Sequence, residues 1–383
     1  MRGHVFQRGK TWSYIIDIPY EPLTGKRRQK KKGGFRLEGE AEAACAAEIT
    51  RINSGLFIED SNMTVTTYLN MYLEIHAKPN FKPTSYDTEK TVIEARIIPE
   101  IGSTKLQKLT PLIIKKFYAK LRLKYSSDYV RNIHGILRRA LRLAYTDYDL
   151  LLTNIMDKVK TPKVEKKEMK FWTFEEWNKF IESSEGHVHF IVFSLGVYTG
   201  MRRGEILGLR WKDIDLVKGT LTINQTLNWI RTGVIIQPSA KTDNSNRPVV
   251  LDRYLIDDLK ARKKQVDNLK LKYGKEYENH DLVCCYEYGG RIIPKRITEA
   301  FNVLTRKAQL DKIRFHDLRH TYASFLLSID INPKVAAERM GMSPQMFNHR
   351  YSHLLPNMQQ DAVNRIEDRI EEARKKRAEP VDK

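Results

Sequence analysis

From Lys158 to Lys170 the chain reads KVKTPKVEKKEMK, six lysines and one proline in thirteen residues. Such a stretch has no apolar face to bury and carries a helix breaker, so residues 159–170 read as an exposed linker. The chain is thereby cut into parts that must each build a core of their own. Its 383 residues also exceed what one core supports, which predicts two or three domains.

The parts differ in pattern. In residues 63–158 helical periodicity dominates. Val65, Leu69, Tyr72 and Leu73 form one stripe behind Thr64, a predicted N-cap. Between Tyr129 and Tyr145 the apolar Ile133, Leu137, Leu141 and Ala144 face inward, and Arg131, Arg138, Arg139 and Arg142 line the opposite side. A helix of this kind suits packing on one side and a phosphate backbone on the other; arginines that merely snorkel on a wet surface are the alternative. Residues 1–58 look different. Residues 4–20 alternate as a half-buried strand, with Trp12, Tyr14, Ile16 and Ile18 on one side. A turn at residues 22–25 leads to Lys26, Arg27, Arg28, Lys30, Lys31 and Lys32, then Gly33-Gly34-Phe35 and an Ala/Glu-rich helix from Glu38 to Arg51. This predicts a small three-stranded sheet carrying one helix, its basic run offered either to water or to phosphates. Beyond the linker, residues 171–377 are mixed. Helices are expected over 174–184, 187–198, 203–209 and from 253, and strands over 219–226, 233–239 and 247–251, ahead of a short tail at 378–383. The fold class is a multidomain α+β protein.

Sixty-seven Lys and Arg against forty-seven Asp and Glu leave a charge of +20 and a pI near 9.6, the footprint of a protein that meets a polyanion, nucleic acid above all. Hydrophobic residues at 41% are too many for a disordered chain. Cys45, Cys284 and Cys285 provide neither a disulfide framework nor the paired spacing of a zinc site, so a reducing, cytoplasmic setting is expected. The N-terminus has no signal-peptide core, and the longest apolar stretch, about Phe190 to Met201, is too short for a bilayer.

Four clusters in the last part carry chemistry. They are Thr199-Gly200-Met201-Arg202-Arg203-Gly204-Glu205, then Lys241-Thr242 with Arg247 shortly after, then His316-Asp317-Leu318-Arg319-His320-Thr321 opening a helix, and Tyr351-Ser352-His353. Singly each has a dull explanation: a surface ion pair, a turn lysine, a core tyrosine. Together, in this order and at these gaps, T-G-x-R-x-x-E, H-x-L-R-H-T and Y-x-H resemble the tyrosine-recombinase, or phage integrase, family. The resemblance spans nearly the whole chain. The first part, with its G-K-R-R-Q-K-K-K-G-G-F segment, resembles the arm-binding domain of integrases from temperate phages and integrative conjugative elements. The helical part resembles the core-binding domain, with Asn154-Ile155 where the family usually has Asn-Pro.

The resemblance implies a site-specific recombinase that cuts and rejoins double-stranded DNA, without ATP, metal or other cofactor, through a 3′-phosphotyrosyl link, and so integrates and excises a mobile element. Tyr351 is the implied nucleophile, His316 its base, Arg202 and Arg319 the holders of the phosphate oxygens, and Lys241 the acid for the departing 5′ oxygen. The chemistry agrees. A phenol at neutral pH is about one part in a thousand ionised, a deficit near 4 kcal/mol, and needs a base. Guanidiniums supply permanent charge on a fixed fork of donors. Glu205 is expected to orient the site from one helical turn beyond Arg202. The family's usual His or Trp nine residues before the nucleophile is Met342 in this chain, which cannot donate a hydrogen bond; either packing suffices there or His320, His349 or His353 takes over. The C-terminal stretch from Met358 to Arg377, with Ala362, Val363, Ile366 and Ile370 on one stripe, is expected to dock on a neighbouring subunit. The implied partners are core and arm DNA sites, three further copies in a tetramer on DNA, an excisionase and a host DNA-bending protein. A Xer-like resolvase and a non-catalytic DNA-binding regulator are the alternatives.

Overall fold

The computed structural model describes residues 3–18, 27–54, 61–165, 168–238, 247–351, 363, 366–371 and 374. Lys26, Lys241, His353, most of the 358–377 stretch and the 378–383 tail lie outside the described residues. Two compact units make up the chain, residues 1–166 and 167–383.

In the first unit, strands β1 (Gly3–Arg8), β2 (Thr11–Ile18) and β3 (Arg28–Phe35) pair antiparallel in that order, followed by helix α1 (Glu38–Asn53). The single strand expected over 4–20 is a hairpin instead, because Gly9 takes φ +64° and turns the chain. Tyr14, Ile16 and Ile18 pack with Cys45 and Ile52 of α1. Strand register pairs Tyr14 with Lys32, Ile16 with Lys30 and Ile15 with Lys31. Directly paired residues share a face, so the period of two sends the basic run to both sides of the sheet. Lys30 is spent on Glu48 at 3.0 Å, and Arg27 clasps Asp17 through two 2.9 Å bonds. Lys31 lies over the Phe6 ring and Lys32 over Phe35. Among the described residues of the run, Arg27 to Lys32, the basic side chains therefore do not share one face of the sheet.

The helical part begins at α2 (Val65–Tyr72), whose expected cap is present: Thr64 Oγ1 accepts from the Thr67 amide at 3.1 Å. After α2 comes a π turn, Leu73–Ala77, and after α3 (Pro83–Val92) another, Ile93–Ile97; α4 (Pro111–Arg122) and α5 (Ser127–Thr146) complete the set. The apolar stripes read from the sequence are all buried. A polar chain runs through this core. Tyr72 Oη donates to Glu89 Oε1 at 2.6 Å, and Arg139 Nη2 reaches Glu89 Oε2 at 2.7 Å. Arg139 thus departs from the expected row. At about 100° per residue Arg131, Arg138 and Arg142 fall within roughly 40° of one another around α5, while Arg139 lies some 60–100° away, towards Glu89.

The second unit holds α6 (Phe174–Ser184), α7 (Phe190–Thr199), α8 (Arg203–Gly208), β4 (Ile214–Asp215), β5 (Thr220–Ile223), β6 (Gln225–Ile230), β7 (Gly233–Pro238), β8 (Arg247–Val250), α9 (Arg253–Tyr273), α10 (Pro294–Lys307), α11 (Leu318–Ser328), α12 (Pro333–Met340) and α13 (Pro344–Tyr351). Helix α6 starts in a capping box, Thr173 and Glu176 each bonding the other's amide. The strand expected over 219–226 is two. It breaks at Asn224, whose amide group donates to Asp213 Oδ1 at 2.9 Å; β5 joins a β4-β5-β8 sheet and β6 pairs with β7. One aromatic-rich core, including Trp172, Phe180, Phe193, Phe301 and Phe315, binds the helices together and extends to Met342 and Tyr351. Among the described residues of the C-terminal stretch, Val363, Ile366 and Ile370 are exposed. No helix among the described residues is long and apolar enough to cross a membrane.

Candidate active site

Helix α7 is apolar on all sides, which buries it and makes its C-terminus a fixed point. Gly200 ends it at φ +62°, and a Cβ there would sit 2.6 Å from the Tyr322 ring, so both conformation and space demand glycine. Two residues on, Arg202 leads into α8. Its backbone amide donates to Glu205 Oε2 at 2.9 Å and its Nη1 to Oε1 at 2.7 Å. Glu205 is 4% exposed, whereas the Arg202 side chain is 43% exposed. The carboxylate is thus a buried anchor and the guanidinium reaches outward. Burial alone would raise the Glu205 pKa, but Arg247 and Arg202 overrule it and hold the carboxyl below its usual range.

Arg319 comes from the first turn of α11 and is 2% exposed. Its Nη1 donates to the Gly200 carbonyl at 2.8 Å, and its Nη2 to the Met340 carbonyl at the end of α12. A guanidinium has five N–H donors, and these two bonds fix the plane of the fork while leaving the others for an anion. Burial, with Arg202 and Arg247 nearby, pushes its pKa down to about 9, which still leaves it charged at neutral pH.

Tyr351 closes α13 and is fully buried against Phe347, ring centroids 4.8 Å apart. Its Oη hydrogen-bonds His320 Nδ1 at 2.8 Å. The other nitrogen of that ring, Nε2, lies 4.0 Å from Asp317 Oδ1. Burial pushes the Tyr351 phenol above its ordinary pKa against the pull of Arg319, Arg350 and Arg202. Burial and the His316 ring push His320 down to about 4. The histidine bonded to Tyr351 is therefore His320, placed by the sequence only in a supporting role. His316, expected as the base, is solvent-exposed, its ring 5.7 Å from that of His320. Partial desolvation and the neighbouring Arg319 guanidinium lower its pKa.

Met342 is buried in the core. His349 is exposed on α13. The arrangement brings Arg202, Glu205, His316, Arg319, His320, Met342 and Tyr351 into one region and adds Asp317 and Arg247, for which motif reading assigned no role. Asp317 is found only in three dimensions, through its bonds from Arg314 and its approach to His320.

Comparison with known proteins gives the same picture. Residues 170–358 match the model of the phage integrase family, residues 64–122 that of the phage integrase N-terminal SAM-like domain, and residues 6–52 that of an Arm DNA-binding domain. The ICEBs1 integrase of Bacillus subtilis is 28% identical over 369 residues, covering 93% of this chain and 97% of that one. A XerC-like tyrosine recombinase of Caldanaerobacter subterraneus is 27% identical, covering 94% and 97%. In fold the chain resembles the Tn1549 transposon integrase in complex with a circular intermediate DNA, with a TM-score of 0.66, 17% identity, and coverage of 79% of this chain and 99% of that one. It likewise resembles lambda integrase, solved as a tetramer on a Holliday junction, with a TM-score of 0.58, 19% identity, and coverage of 90% and 94%. With three family models matched along its length and integrases among its relatives, the chain belongs to the phage integrase family of tyrosine recombinases.

Proposed function

We propose that this recombinase cuts and rejoins double-stranded DNA with Tyr351 as nucleophile, integrating and excising a mobile element. The observation that carries the reading is the buried phenol of Tyr351 beside two anchored guanidiniums, Arg202 and Arg319, both of which act on its acidity. In the forward step the Tyr351 Oη–phosphorus bond forms and the bond from phosphorus to the 5′ oxygen breaks. The phenol proton leaves to a histidine and the 5′ oxygen gains one, for which Lys241 is the donor that the family resemblance implies. The phosphodiester energy is kept in the phosphotyrosine, so rejoining needs no ATP. Phosphoryl transfer of this kind depends mainly on positioning and on charge over the non-bridging oxygens, the task assigned to the two arginines.

Acidities decide when the proton moves. Burial holds the Tyr351 phenol above its ordinary pKa and pushes the His320 imidazole down to about 4, and both directions oppose transfer. In the free protein the pair is therefore a neutral hydrogen bond. Transfer becomes favourable only as the Oη–phosphorus bond forms and the phenol turns acidic.

Residues 63–158 we assign to the core site, residues 1–58 to arm sites, and residues 171–377 to catalysis, with 159–170 as the connection. Arg131, Arg138 and Arg142 are the phosphate contacts we favour on α5. A tetramer on DNA, an excisionase, a DNA-bending host protein and the cytoplasm of a bacterial host complete the proposal. The matched arm domain favours an integrase over a Xer-like resolvase, and the intact constellation argues against a non-catalytic regulator.

The test is a nicked duplex built on sequences that the protein selects from a random library. A recombinase leaves a protein–DNA adduct that survives denaturation; a regulator leaves none. In the same assay Met342→His separates two views of that position. A packing role predicts a rate within about threefold of wild type, whereas a missing phosphate donor predicts a gain of about 10²-fold.

A further inference from the structure

We propose that Arg247 is a positioning residue that locks the two phosphate-holding arginines into one frame; the inference rests on the recombinase reading above and deepens it. Arg247 is the first residue of β8 and is only 4% exposed. Its Nη2 lies 3.5 Å from Glu205 Oε2, and its Nε donates to the Arg339 carbonyl at 2.9 Å. Its Nη1, also buried, has no hydrogen-bond partner among the described residues. Stability alone does not account for this arrangement. Taking a guanidinium out of water is costly, and an apolar side chain of similar volume serves a core as well or better. Moreover, Glu205 is one carboxylate among three guanidiniums, so the site carries buried positive charge in excess of its own anion.

What Arg247 does have is connections to both halves of the site. Through Glu205 it reaches Arg202, whose amide and side chain both bond that carboxylate. Through the Arg339 carbonyl it grips the end of α12, where the next carbonyl, that of Met340, accepts from Arg319. Arg319 in turn bonds the carbonyl of Gly200, two residues before Arg202. The path closes on itself, from β8 to α8, α7, α11, α12 and back to β8. Each arginine fork is thus oriented by bonds that meet at Arg247.

Gly341 supplies a second, steric link. It caps α12 at φ +59°, and a Cβ there would press on Arg247 Nη1 and lie 2.7 Å from its Cζ. The guanidinium fills the place a side chain would take, against the turn from which the chain runs to Met342 and to α13 with Tyr351. A shift of Arg247 therefore moves the frame of both arginines and the approach to the nucleophile together.

The experiment uses the full chain and the nicked duplex described above, reading adduct formation rate, DNA affinity and the pH profile of the rate. Arg247→Met is expected to slow cleavage by about 10²-fold, the scale of a small misplacement of reacting groups, with DNA affinity within a few-fold of wild type. Its acid limb should move to higher pH. The groups facing Glu205 are Arg202 from its own helix, Arg247 from β8 and Arg319 from α11; without Arg247 burial is less opposed, the carboxyl takes a proton more readily, and activity is lost sooner on acidification. Arg247→Lys, which keeps the charge but not the fork, should recover part of the rate and most of the acid limb. Gly341→Ala should slow the wild type yet cost measurably less in the Arg247→Met background, because the contacts with Nη1 and Cζ are gone while the cost of the left-handed backbone is common to both. If Arg247→Met does not fold, Arg247→Lys and Gly341→Ala decide by the same readouts. Wild-type rate and acid limb in the Arg247 variants, or additive effects in the cycle, overturn the proposal. An inert wild type contradicts the recombinase reading, and this inference with it.

Discussion

Tyr351→Phe binds DNA with wild-type affinity and forms no covalent complex with it. Phenylalanine keeps the packing against Phe347 and fits the same fully buried site. What is lost is one oxygen and its 2.8 Å bond to His320. Leaving the histidine nitrogen without a partner costs about 1 kcal/mol of stability, too little to unfold a domain. The chemical loss is of another order. Removing the nucleophile from a catalytic set that acts as a unit costs about as much as removing the whole set, about 10⁴-fold or more. Gel separation of denatured adducts and a filter-binding isotherm measure the two quantities. An adduct at even a tenth of the wild-type yield contradicts the assignment.

Arg319→Ala is expected to lower cleavage by about 10³-fold, within the span of arginines and single oxyanion donors that stabilise transition-state charge. Stability should fall as well. The carbonyls of Gly200 and Met340 lose their donor inside the protein, at about 1–3 kcal/mol each before the relief of no longer burying a cation. A net loss of about 2 kcal/mol, seen as a lower urea midpoint, is the outcome expected. Arg319→Lys restores the charge but not the geometry. An ammonium cannot span two carbonyls and a phosphate oxygen from one plane, so this variant should recover the stability only in part and remain at least about tenfold slow. A cleavage rate in Arg319→Ala within threefold of wild type removes Arg319 from the proposed mechanism.

How far the sequence reveals this protein depends on the distance over which each feature is decided. Local decisions were legible. The Thr64 cap, the buried stripes of α2 and α5 and the helix opened by His316-Asp317-Leu318 follow from side chains within one or two turns of each other. Strand breaks were less so. Gly9 splits the first strand by a positive φ that its neighbours do not announce, and Asn224 splits another because its side chain serves Asp213. The basic run of β3 read as one patch, yet strand alternation and the partners Asp17 and Glu48 divide it. Arg139 left its row for Glu89, fifty residues earlier in the chain. In the site, motif spacing picked out the residues but not their pairing. Which histidine bonds Tyr351 is settled by the packing of α13 on α11, and the role of Arg247 by contacts with Glu205 and Arg339, 42 and 92 residues away. Periodicity reports which face is buried; it carries no information on which buried polar atoms meet.

The most direct measurement digests the denatured adduct with protease and sequences the one peptide that retains a nucleotide. The modified residue is expected to be Tyr351, joined to a 3′ phosphate, with a free 5′ hydroxyl on the other side of the cut. A nucleotide on any other side chain, or a 5′-linked phosphate, contradicts the proposed mechanism.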